Sequence, residues 1–178
     1  MKSLLKLVER PGRYCGGEYG EVIKDKSKIK LRVAFCFPDL YEIGESNLGM
    51  KILMGCLNKE DDIWCERTFA PAEDMRTLML ERGVSLSTIE SGDSLKDFDI
   101  ICFTLQYELC YTTMLDMLKL AGIPLKSEER GEEYPLIVAG GPCAYNPEPV
   151  ADFIDLFFLG EGEEVDLEVI DLYKKYKK

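Results

Sequence analysis

Short apolar runs closed by turn residues alternate along this chain with segments whose apolar positions recur every three or four residues. Leu31–Phe37 reads as a buried strand ended by Pro38-Asp39. A helix is expected from about Asn47 to Leu57, with Ser46 as its N-cap and Leu48, Ile52, Leu53, Cys56 and Leu57 on one face. Ile63–Phe69 is a second strand. Pro71 opens a helix in which Met75, Leu78 and Met79 keep helical spacing, and Gly83 closes it. Val84–Ile89 reads as a short strand and Phe98–Leu105 as a long one. Tyr111, Met114, Leu115 and Leu118 then mark a helix stopped by Gly122 and Pro124. The runs Pro135–Ala139 and Phe153–Leu159 read as buried strands, each with a glycine cluster directly behind it. Val165, Val169, Leu172, Tyr173 and Tyr176 trace a last amphipathic helix, with acids in its first turn and lysines in its last, as its dipole favours.

Strands alternating with helices require right-handed crossovers and a mainly parallel sheet covered on both faces. The expected fold is therefore α/β, a Rossmann-like or flavodoxin-like three-layer sandwich over residues 31–178. Residues 1–30 break the rhythm. Their segment Pro11-Gly12-Arg13-Tyr14-Cys15-Gly16-Gly17-Glu18 is turn chemistry, expected to form an N-terminal arm or small hairpin lying against a surface that the pattern does not identify.

Charge narrows the function. The 22 Lys and Arg against 33 Asp and Glu leave a net charge of −11, which repels polyphosphates, so nucleic acid is not an expected partner of this segment. No apolar run approaches the ~20 residues of a membrane span. Lys2, Lys6, Glu9 and Arg10 interrupt the N-terminus where a signal peptide needs an apolar centre, so a cytoplasmic address is expected. The seven cysteines show no close pair of zinc-site spacing, and the absence of histidine excludes Ser-His-Asp catalysis. Cys36, Cys56 and Cys102 fall on apolar faces and read as small hydrophobes. Cys143 sits in a glycine and proline loop with no basic neighbour to lower its pKa.

In open α/β sheets, ligands bind outside the C-terminal ends of the strands. Four loops fall there: Pro38–Gly49, Thr104–Glu108, Gly140–Pro147 and Gly160–Glu164. The first ends at a helix N-terminus but has neither Gly-x-Gly-x-x-Gly nor a Lys-Ser/Thr pair, which disfavours a dinucleotide or P-loop site. The second offers a hydroxyl, an amide, a phenol and a carboxylate. The last would set three carboxylates against a phosphate. A flavin-binding flavodoxin-like protein is a weaker reading, because Glu42 and Glu45 make the first loop hostile to phosphate.

Several ordered motifs then fall in register: Phe37-Pro38-Asp39-Leu40-Tyr41-Glu42-Ile43-Gly44, Ser46-Asn47-Leu48-Gly49, Leu105-Gln106-Tyr107-Glu108-Leu109, Ala139-Gly140-Gly141-Pro142-Cys143 and Gly160-Glu161-Gly162-Glu163. Together with Arg13-Tyr14 and Gly16-Gly17-Glu18 they resemble the N-terminal cobalamin-binding-like domain of a bacterial family of uncharacterised radical SAM proteins. The resemblance implies that a barrel domain follows in the full-length protein, whose Cys-x-x-x-Cys-x-x-Cys motif binds a [4Fe–4S] cluster and S-adenosylmethionine. That motif does not occur here, so this chain is not expected to be catalytic by itself. The resemblance also implies a corrinoid pocket built without a histidine ligand. Its residues would be Asp39, Tyr41, Glu42, Gly44, Ser46, Asn47, Thr104, Gln106, Tyr107, Gly140, Gly141, Pro142, Gly160 and Gly162. The alternative is a non-catalytic module that packs on the barrel, positions substrate and binds no small molecule, with Tyr14, Tyr145 and the last helix as candidate contacts. Oligomeric state stays open.

Overall fold

The computed structural model describes residues 1–176, without the side chains of 164–166. The side chains of Glu164 and Val165 in the last helix, and the lysines at 177 and 178, therefore lie outside what is described.

Five strands, β1 (Leu31–Phe37), β2 (Ile63–Phe69), β3 (Ile100–Thr104), β4 (Leu136–Gly140) and β5 (Leu156–Phe157), form one parallel sheet in the order β2-β1-β3-β4-β5. This is the flavodoxin-like order, with its topological switch point between β1 and β3. Helices cover both faces. α2 (Leu48–Lys59) and α5 (Gly162–Tyr176) lie on one face, α3 (Glu73–Arg82) and α4 (Cys110–Ala121) on the other, and the one-turn α1 (Tyr41–Gly44) sits at the edge. The pleat sorts the two cores: Val33, Phe35, Cys102 and Val138 face α2 and α5, while Ala34, Cys36, Ile101, Phe103 and Ala139 face α3 and α4.

Both helices that the sequence closes with glycine end as expected, with Gly83 and Gly122 in the left-handed conformation at φ 61° and 68°. The start of α2 differs. Asn47, not Ser46, caps it by accepting the Met50 N–H at 2.8 Å, while the Ser46 hydroxyl turns back to the Ile43 carbonyl. The buried face differs too. Met50, Met54 and Leu57 point inward and Leu48 and Ile52 outward. In α5, Ile170 is buried with Leu167 and Tyr173 against the same core, and Leu172 and Tyr176 are exposed.

Val84–Ile89 forms no strand; Ser87 makes one isolated bridge with Ser94. Its backbone donors are divided among different segments, Leu86 to Leu120, Thr88 to Asp93 and Ile89 to Arg67, so no ladder develops. Its last residue instead bonds the outer edge of β2 at Arg67, on an edge that would otherwise invite pairing. Phe153–Leu159 also contracts, because the proline-flanked Glu148–Phe153 takes a 3₁₀ turn and only two residues pair with β4.

Residues 1–30 form three 3₁₀ turns laid on the domain itself. Leu4 and Tyr14 are buried, and the Tyr14 hydroxyl accepts the Ala72 N–H. Val22 accepts the Trp64 indole N–H at 3.0 Å, and the Lys24 ammonium donates to the carbonyls of Asn58, Glu60 and Ile63, closing the end of α2.

Candidate functional site

The loops that leave β1, β3, β4 and β5 meet at the C-terminal edge of the sheet. Asp39 follows β1 after Pro38. Its backbone oxygen accepts the Ala70 N–H at 2.9 Å, and its carboxylate accepts the Leu40 N–H at 2.7 Å and the Tyr107 hydroxyl. The Tyr107 bond spans the switch point, where a bound ligand would enter. That hydrogen bond to Asp39, with some burial, pushes the Tyr107 phenol up to about 12.

The remaining loop residues face the arm and the core. Tyr41 donates to Glu18 at 2.6 Å and sets its ring edge-on to Phe69; burial, then the Glu18 bond, raises its pKa. Glu42 accepts from Arg13 at 2.9 Å and Arg10 at 3.0 Å, and the Arg13 bond holds its carboxyl below the usual range. Gly44 is a close-packing position, since a Cβ there would stand 2.4 Å from the Phe69 ring and 2.9 Å from Phe37. Ser46 and Asn47 serve the α1–α2 corner.

A second group does converge. Thr104, Gly140, Gly141, Gly160 and Gly162 line one cavity together with Phe35, Leu53 and Phe158. Gly141 takes φ 93°, and a Cβ on it would meet the Leu105 carbonyl at 2.9 Å; Gly160 takes φ 110°. Gln106 turns inward and donates to the Thr104 hydroxyl at 2.5 Å, and Pro142 begins the 3₁₀ turn that carries Cys143. The cavity volume is 60 Å³. Ligand pockets run to about 300–1,000 Å³, so a corrinoid does not fit this space as the side chains stand. Among the described residues, no group of three or more His, Cys, Asp and Glu side chains is placed to hold a metal ion. A wider groove of 790 Å³ opens at the opposite edge, lined by Phe98, Arg130, Tyr134, Tyr173 and Tyr176.

Cys143 is buried in its loop against the Tyr111 side chain. Burial and this contact push the Tyr111 phenol up to about 12. On β2, Arg67 gathers Glu18, Glu45 and Glu90, joining the arm, the α1–α2 corner and the segment before β3. Adjacent Glu66 and Arg67 in an otherwise apolar strand were the available signal, but their partners lie 22 to 49 residues away.

Fold and edge define a doubly wound α/β domain with a flavodoxin-like sheet and a closed crevice at its switch point. The chain belongs to the family of radical SAM proteins, N-terminal, whose family model matches residues 49–178. It is similar to the uncharacterised protein MJ0966 of Methanocaldococcus jannaschii, 30% identical over 159 residues, which covers 84% of this chain and 30% of that protein. The chain thus spans under a third of the length of this relative. No solved structure matches it.

Proposed function

We propose that this domain is an accessory, non-catalytic module of a radical SAM protein, which presents the C-terminal edge of its sheet to the catalytic portion of the full-length chain. The carrying observation is a contrast at that edge. Five polar side chains there, Asp39, Tyr41, Glu42, Gln106 and Tyr107, are bonded within the domain, with the exposed acids Glu108, Glu161 and Glu163 beside them. The apolar and aromatic ones project outward: Ile43 and Leu159 are exposed, as are Leu109 at 83% and Tyr145 at 73%. Apolar side chains gathered at one end of a charged domain favour a protein partner over water. The [4Fe–4S] cluster and S-adenosylmethionine belong, on this reading, to the portion beyond this chain. The domain's part is to orient that portion and to shield it.

A corrinoid held without histidine is the second reading, favoured by the glycine-lined cavity beside Thr104. Hydroxocobalamin titration of the folded chain, followed by visible spectrum and equilibrium dialysis, separates the two. The module reading expects no saturable binding at high micromolar cofactor. Saturable one-to-one binding weakened by Gln106→Ala would establish the second reading and require the crevice to open.

A further inference from the structure

α2 and α5 lie side by side on one face of the sheet, and each carries more apolar surface than the sheet uses. In α2 the buried line is Met50, Met54 and Leu57; a second line, Leu48 at 69% and Ile52 at 42% exposure, points away from it. In α5, Ile170 faces inward, while Leu172 and Tyr176, one turn apart, are 52% and 79% exposed. A surface helix ordinarily carries polar residues on its outer face. The opposite layer obeys this rule, for α4 exposes no large hydrophobic residue and α3 only Leu80. The asymmetry assigns the outer face of α2 and α5 to a contact.

The course of α5 says with what. Gly162 lines the cavity at the C-terminal edge of the sheet, and Tyr176 lines the groove at the N-terminal edge. At 1.5 Å per residue its length carries the chain about 22 Å away from the loops. A polypeptide that leaves there and serves the loop edge must return over the same distance, about seven extended residues. The matching model is of an N-terminal domain, and the relative has roughly 70% of its length outside the matched part.

We propose that the polypeptide following α5 in the full-length protein packs along the outer face of α2 and α5, on Leu48, Ile52, Leu172 and Tyr176. This rests on the accessory-domain reading for there being such a polypeptide and for its return toward the loop edge, while the contact itself is made by the helix face.

Hydroxyl-radical footprinting of the 178-residue chain and of a full-length protein containing it tests the two surfaces separately. Labelling of Leu172, Tyr176, Leu48 and Ile52 should fall about fivefold in the longer protein, as for side chains moving into an interface core. The double variant Leu172→Glu/Tyr176→Glu should restore the labelling of Leu48 and Ile52 in the longer protein and leave the unfolding midpoint of the short chain unchanged, since both substituted sites are exposed. Unchanged labelling of the four helix residues overturns the inference, and if Leu109 and Tyr145 are protected meanwhile, the loop-edge reading survives alone. Protection of the helix residues without Leu109 and Tyr145 supports the inference and counts against the loop edge. Self-association of the short chain that protects the same four residues, with no further protection in the longer protein, overturns it in favour of a second copy.

Discussion

Replacing Arg67 by methionine keeps an unbranched apolar stem and removes the charge on which three segments converge. The guanidinium stands 2.6 Å from both Glu90 and Glu45 and is bonded to Glu18. Glu90 matters most, because its side chain is only 3% exposed and its second oxygen accepts the Arg67 N–H. Leaving one partner of a buried pair costs about 3–5 kcal/mol. Glu18 and Glu45, with 27% and 22% of their side chains exposed, keep part of their hydration. They add about 0–1 kcal/mol each. The total is a large share of the ~5–15 kcal/mol that holds a domain together. The pH dependence has a definite sign. Burial already holds the Glu90 pKa above its ordinary value, with Arg67 opposing it, so its contribution is greatest below the unfolded pKa and falls as pH rises through the folded one. Without Arg67 the folded pKa climbs further. The penalty of Arg67→Met should therefore be full near pH ~7 and shrink near pH ~4.5, where the carboxyl is increasingly protonated. Urea unfolding followed by the single tryptophan, the buried Trp64, measures both. A loss under about 1 kcal/mol at neutral pH, or one equal at the two pH values, would refute the reasoning.

Gly44→Ala should cost about 1–3 kcal/mol, because its new methyl displaces the buried rings of Phe69 and Phe37. Gly55→Ala, in open space within α2, should instead stabilise by about 0.5–1 kcal/mol; denaturation midpoints that move together for both variants would contradict the packing described. Deleting residues 1–24 removes the carbonyl that receives the Trp64 indole N–H and the ammonium that closes α2. Its emission should shift to the red and the unfolding midpoint should fall, whereas an unchanged spectrum would make the arm a passive appendage.

Much of the framework was legible because burial on both faces leaves largely apolar runs: β1, interrupted only by Arg32, and β2, despite Glu66, Arg67 and Thr68, begin and end where the pattern places them. The helix faces were not, since α2 and α5 each carry two apolar lines and periodicity alone cannot say which meets the sheet. Val84–Ile89 has the composition of a strand, yet strand formation depends on where its hydrogen bonds go, and they are divided among separate segments. At the edge, the glycines announced themselves because Gly141 and Gly160 occupy positive φ. The Tyr107–Asp39 bridge joins residues 68 apart, beyond any local signal. Nor could spacing foretell that Leu53 and Phe158 would help confine the glycine-lined cavity to 60 Å³.

The account stands on the loop edge being a protein-facing surface. A photo-crosslinking amino acid at Leu109, in the full-length protein, tests this most directly, with Lys119 on the exposed side of α4 as the control position. The account predicts efficient intramolecular crosslinks from position 109 into the catalytic portion and few from 119. Equal yields from the two positions, or none from 109 in a folded and active protein, would contradict it.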